Sequence, residues 1–98
     1  MGRAGQSVYA AAKGGVLSFT RALAQEVGRF GVRVNALSPG IIDTELVRQL
    51  PDSLRADLLA SVPAGRMGTG AEVASAVALL LRATYMTGTM IAVDGGLT

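Results

Sequence analysis

Apolar side chains recur at Val8, Ala12, Val16, Phe19, Leu23, Val27 and Phe30. Steps of three and four residues place them on one stripe of an α-helix. Arg21, Gln25, Glu26 and Arg29 fall on the polar side. Gly31 follows as a C-terminal stop. The pattern predicts a long, rigid helix over 8–30 with that stripe turned toward a core. Val32-Arg33-Val34-Asn35-Ala36-Leu37 then reads as a strand. It is short, rich in valine and ended by the loop signal Ser38-Pro39-Gly40.

Two short helices come next. Asp43 or Thr44 can cap the first, and Pro51 ends it. Asp52 or Ser53 can cap the second, which carries Leu54, Leu58, Leu59 and Val62 on one side and closes at Pro63. Residues 64–68 form a loop. Thr69-Gly70-Ala71-Glu72 matches a capping box, in which Thr and Glu each bond the other's backbone N–H. The helix it opens runs to Arg82, with Val73, Val77, Leu80 and Leu81 facing inward. Thr89-Met90-Ile91-Ala92-Val93 is the second strand, ended by Asp94-Gly95-Gly96. A strand, a crossover helix and a strand make a right-handed unit with parallel strands. The fold class is therefore α/β, in one domain over 1–98. Two parallel strands alone are a marginal sheet. Their near-continuous apolar character calls for further neighbours.

Composition removes several chemistries. The 98 residues include no cysteine and no histidine. That excludes a disulfide framework, a Ser-His-Asp or Cys-His mechanism, and the commonest metal ligand; no metal site is expected. The net charge is +2, from basic residues scattered along the chain. A nucleic-acid surface clusters them, so no nucleic-acid partner is expected. The hydrophobic share of 50% fits a packed globular domain. No run approaches the roughly 20 apolar residues of a membrane span. No apolar signal segment opens the chain, and a cytoplasmic protein is expected.

The remaining chemistry lies in Tyr9-Ala10-Ala11-Ala12-Lys13-Gly14-Gly15. Residues four apart on a helix point the same way, so Tyr9 and Lys13 share a face. An ammonium beside a phenol favours the phenolate, and such a tyrosine can exchange a proton with a substrate oxygen. Carbonyl reduction and alcohol oxidation need that proton. Gly14 and Gly15 cost a helix roughly 1 kcal/mol each against alanine, which points to a need for bare backbone. The small residues permit close approach by a ligand, and equally by a second helix. Taken singly, the other motifs have plain structural readings. Pro39-Gly40 can be a strand-ending turn, Thr44 a helix cap, Asn35 a satisfied amide, and Asp94-Gly95-Gly96 a common loop.

Taken together and in order, Tyr9–Gly15, Arg33-Val34-Asn35-Ala36-Leu37-Ser38-Pro39-Gly40, Ile42-Asp43-Thr44, Thr87-Gly88 and Val93-Asp94-Gly95-Gly96 make the chain resemble the short-chain dehydrogenase/reductase family, in particular its 3-oxoacyl-(acyl carrier protein) reductase-like members. The resemblance covers essentially the whole chain. It implies the C-terminal portion of a Rossmann-like doubly wound parallel sheet. It further implies that Tyr9 is the catalytic acid/base, and that Lys13 binds the nicotinamide ribose of NADP or NAD and favours the phenolate. Pro39 and Gly40 would shape the loop under the nicotinamide. Ile42 would bond its carboxamide through the backbone, and Thr44 through its hydroxyl. Residues 44–62 would form the substrate lid, and the first helix would join the interface of a homodimer or tetramer.

The same resemblance places the family's Gly-rich pyrophosphate turn in an earlier strand–helix unit. Its catalytic serine and asparagine likewise fall ahead of Met1. Gly65-Arg66-Met67-Gly68-Thr69-Gly70 follows no strand and is no substitute for that turn. Two expectations arise. Either the chain is part of an NAD(P)-dependent oxidoreductase and holds half of its site, or it is an inactive remnant that pairs with a full-length relative. In either case Val32–Leu37 would present an unpaired strand edge prone to association.

Overall fold

The structure is a computed structural model that describes residues 6–97. The reading that no signal segment opens the chain falls partly on residues 1–5, outside the described residues. The elements run α1 (Gln6–Val27), a 3-10 turn (Gly28–Phe30), β1 (Ala36–Pro39), α2 (Glu45–Arg48), α3 (Asp52–Ala60), α4 (Gly70–Arg82) and β2 (Met90–Val93). Helices alternate with strands, and β1 and β2 form a two-stranded sheet. Ala36 N–H donates to Thr89 O at 2.8 Å and Gly40 N–H to Val93 O at 2.9 Å. Both bonds span the same separation along the chain, as parallel pairing requires. The fold is α/β with a small open sheet, a partial Rossmann-like arrangement.

The described residues divide into two compact units, 6–36 with 83–90, and 37–82 with 91–97. In the first, α1 ends in its 3-10 turn, and Gly31 at φ 75° donates its N–H to Gly28 O. That left-handed conformation suits glycine. Thr20 and Ala24 are the buried positions of the helix. An added Cβ on Gly88 would lie 3.5 Å from the Ala24 methyl. That is ordinary van der Waals contact, so the turn at Gly88 lies against Ala24.

The covered positions of α1 are Lys13, Leu17, Thr20, Leu23, Ala24 and Val27, so of the expected stripe only Leu23 and Val27 are partly covered. Val8, Val16 and Phe19 are 71%, 50% and 66% exposed. The two faces lie about 100° apart around the helix, the turn of one residue. Val8, Val16 and Phe19 fall on the side left open, while Leu17, Leu23 and Val27 are partly covered.

The expected strand over 32–37 also moves, to Ala36–Pro39. Val34 and Asn35 pair with residues 86–89 partly through side chains. Val34 N–H donates to Thr87 Oγ1 at 3.1 Å, and Val34 O accepts from Gly88 N–H at 2.7 Å. Asn35 Nδ2 donates to Met86 O at 3.0 Å, while its Oδ1 accepts from Thr89 N–H at 3.1 Å. Asn35 is the satisfied amide of the plain reading, and its side chain takes the place of a backbone ladder. Arg33 fixes the same turn by donating to Ala83 O and Met86 O, both at 3.1 Å.

In the second unit Thr44 caps α2, as expected. Pro51, and neither Asp52 nor Ser53, stands at the cap of α3, and Asp52 occupies its first turn. Proline suits a helix start because its missing N–H would have no partner there. The capping box of α4 is present, with Glu72 N–H donating to Thr69 Oγ1 at 3.1 Å and Thr69 N–H to Glu72 Oε1 at 3.0 Å. Val73, Ala76 and Leu80 form its partly covered stripe. Val77 and Leu81, both expected inward, are 42% and 70% exposed, because they lie round the helix from that stripe. Val62 is buried, against the turn at Gly95.

Glycine has opposite meanings at two positions. A Cβ on Gly40 would stand 2.7 Å from both Cα and Cβ of Asp94, whereas one on Gly14 would meet nothing within 4 Å. Gly40→Ala should cost about 1–3 kcal/mol through overpacking against backbone. Gly14→Ala should gain roughly 0.5–1 kcal/mol of helix stability. Urea unfolding of the two variants checks the opposite signs.

Candidate functional site

The candidate residues fall in two groups, one in each unit. Tyr9 and Lys13 sit one turn apart on α1, Tyr9 57% exposed and Lys13 half-buried. A four-residue step advances about 6 Å along the axis, so both side chains can reach one ligand. Space beside Gly14 and Gly15 is open, so bare backbone follows the pair.

Pro39, Gly40, Ile42 and Thr44 lie on the segment that leaves β1 in the second unit. Gly40 anchors its start on Val93 O, with Asp94 closely packed against it. Ile42 forms a parallel bridge with Gly68. Gly68 N–H donates to Ile41 O, and Asp43 N–H donates to Gly68 O, both at 2.8 Å. In such a bridge the central residue turns its own N–H and C=O the other way. Neither of those Ile42 groups has a hydrogen-bond partner among the described residues. They form a free donor–acceptor pair on a fixed edge. Thr44 Oγ1 accepts a long bond of 3.4 Å from Val47 N–H as the cap of α2. A hydroxyl carries one donor and two acceptor sites, so its O–H proton remains available. The cap and a ligand contact are compatible uses of one oxygen.

This donor set matches a primary carboxamide, which presents one carbonyl and one NH₂. The Ile42 N–H and the Thr44 hydroxyl can donate to its oxygen, and the Ile42 carbonyl can accept from its nitrogen. The residues present therefore fit a nicotinamide carboxamide.

Three residues of this arrangement were not among the sequence candidates: Arg66, Gly68 and Glu72. Arg66 meets Glu72 through two parallel bonds, Nη1 to Oε1 at 2.9 Å and Nη2 to Oε2 at 2.8 Å. Arg66 also donates to Met67 O at 3.1 Å. The capping box was a sequence signal for Glu72 and Thr69. Arg66 stands six residues before Glu72, a spacing that matches neither a helix face nor a strand, so no pattern linked them. A cavity of about 300 Å³ lies beside this loop, lined in part by Ile41, Arg66, Glu72 and Asp94. Its charges are already used, because Arg66 pairs with Glu72 and Asp94 Oδ1 accepts from Gly96 N–H. No substrate role is assigned to it.

The bond from Arg66, then that from the Thr69 N–H, lowers the Glu72 carboxyl from its ordinary 4.5 to about 2, and Arg66 is raised in return. A depressed carboxyl contributes stability in full above its unfolded value and loses it as pH falls through the folded one. The pair should therefore hold at neutral pH and fail between about 4.5 and about 2. A carbon-detected NMR titration should find the Glu72 midpoint near the lower figure, and Arg66→Met should move it up.

Comparison with known proteins bears on this arrangement. The sequence profile of the family described as enoyl-(acyl carrier protein) reductase matches residues 1–98. The chain belongs to the short-chain dehydrogenase/reductase family, whose members are α/β oxidoreductases. Within that family it is similar to the 3-oxoacyl-(acyl carrier protein) reductases. It is 50% identical to that of Salmonella typhimurium, over 99% of this chain and 41% of the relative. For Pseudomonas aeruginosa the identity is 50%, over 99% of this chain and 40% of the relative. For Escherichia coli K12 it is 48%, over 99% and 41%. The chain thus spans about two fifths of the length of these relatives. No described helix is long and apolar enough to cross a membrane.

Proposed function

We propose that the protein carrying this chain is an NAD(P)-dependent oxidoreductase that reduces the ketone of a 3-oxoacyl thioester to the alcohol, or runs the reverse. The observation that carries this reading is the free edge of Ile42 beside the available Thr44 hydroxyl. It is a ready-made receptor for a nicotinamide carboxamide, in a chain about half identical to reductases of that substrate class. A reduced nicotinamide, when bound, supplies hydride to the carbonyl carbon. The C=O electron pair then moves onto oxygen, and Tyr9 gives that oxygen the phenolic proton. Lys13 stabilises the phenolate left behind and donates hydrogen bonds to the cofactor ribose. Pro39 and Gly40 hold the floor of the nicotinamide loop.

Residues 44–62 act as the substrate lid in this reading. Arg55 ties the two lid helices by donating to Arg48 O at 3.0 Å. Leu46 and Leu54 are 75% and 44% exposed and offer apolar surface to an acyl chain. A cytoplasmic location goes with this chemistry.

Purified intact protein should consume NADPH or NADH in the presence of a 3-oxoacyl thioester. Tyr9→Phe should lower kcat by about 10²–10⁴-fold, and Lys13→Met should weaken cofactor binding. An unchanged kcat in the Tyr9 variant overturns the assignment.

The open stripe of Val8, Val16 and Phe19 supports a second role, the interface between copies of the protein or with a full-length relative. In this reading the chain itself is catalytically inactive. Phe19→Asp should shift sedimentation toward the monomer if α1 forms that interface, and no change in mass argues against it.

A further inference from the structure

The Ile42 edge is useful to a ligand only if it is held still: Gly40 on Val93 O and Arg48 on Asp43 anchor the two ends of its segment, and the bridge to Gly68 sets the direction between them. The segment between Gly40 and Thr44 is neither helix nor extended strand. Its outward groups face away from any ladder, and its inward groups meet Gly68 alone. Gly68 belongs to a loop without regular structure, Pro63 to Thr69. That loop is secured at Glu72 by two connections. Arg66 grips the carboxylate with both arms of its guanidinium, and the Thr69 N–H donates to the same carboxylate. One side chain on the first turn of α4 thus holds the loop on both sides of Gly68.

We propose that Arg66 and Glu72 are positioning residues for cofactor binding: by fixing Gly68 they set the direction in which Ile42 presents its free N–H and C=O to the carboxamide. The inference rests on the nicotinamide reading above and extends it to residues that touch no ligand. A paired guanidinium–carboxylate fork is planar and bidentate, so it fixes orientation as well as distance. Arg66→Lys keeps the charge and loses the fork. A Cβ on Gly68 would lie 2.9 Å from Ile42 Cδ1, so the Ile42 side chain reaches over the bridge.

The test separates this inference from the reading beneath it. In the intact protein, amide hydrogen exchange is followed at Asp43 and Gly68, the two donors of the bridge, with α3 amides as internal control. Arg66→Met and Glu72→Gln should speed exchange at those two amides and leave α3 unchanged. This arm needs no cofactor, so it reads the clamp even if Tyr9→Phe refutes the proposed chemistry. The second arm compares the nicotinamide cofactor with its 3-acetylpyridine analogue, which lacks the amide NH₂. Loss of one directed hydrogen bond predicts that the variants reduce the preference for nicotinamide about tenfold, with the loss in KM and kcat little changed. A merely structural role would weaken both cofactors equally. If Arg66→Met does not fold, Arg66→Lys carries both arms. Unaltered exchange at Asp43 and Gly68, or an unaltered cofactor preference, overturns the proposal.

Discussion

The second unit depends on two backbones meeting without a side chain between them. At Gly40 the chain leaves β1 so close to Asp94 that the position has no room for a methyl group. That contact fixes where β1 ends and where the next segment begins. The Gly40–Val93 hydrogen bond sets the direction of exit. The bridge from Ile41 and Asp43 to Gly68 then uses up the inward-facing groups and leaves the outward pair of Ile42 free. An unsatisfied donor and acceptor are costly when removed from water without a partner. Here they stay on a partly open edge, where water or a ligand can serve them.

The arrangement around Glu72 shows how a common local device takes on a longer-range task. A capping box satisfies the first turn of a helix and ordinarily ends there. In this protein the same carboxylate also receives Arg66, and the loop carrying Gly68 is secured to the helix start. Isolated exposed ion pairs contribute little. This pair is bidentate and shares its acceptor with a backbone N–H, which makes it an orienting contact and not merely an attractive one.

In the first unit, α1 divides its surface between two tasks. Ala24 lies against Gly88, and Thr20 and Ala24 are the buried positions of the helix. Val8, Val16 and Phe19 occupy a different face and stay exposed. Tyr9 lies between the two faces by rotation and is more than half exposed. The paired glycines leave space beside the next turn. Their cost to the helix is thus offset by neither core contact nor special backbone geometry, which ties them to access or to association.

Much of this was legible in the order of residues. The helix over α1, the cap at Thr44, the Thr69–Glu72 box and the second strand follow from short-range periodicity and capping, and they formed where those rules place them. The family followed from an ordered set of short motifs. What the sequence could not determine was which face of each helix would be covered. Periodicity identifies an apolar stripe, but coverage depends on the size of the residues that meet another segment. At Ala24 that segment is the turn at Gly88, while Val16 and Phe19 stay exposed. The start of β1 was likewise decided by Asn35, whose amide pairs across to Met86 and Thr89 in place of the backbone. The link from Arg66 through Glu72 and Gly68 to Ile42 joins residues distant along the chain. Sequence spacing encodes only near neighbours, so that connection came into being with the fold.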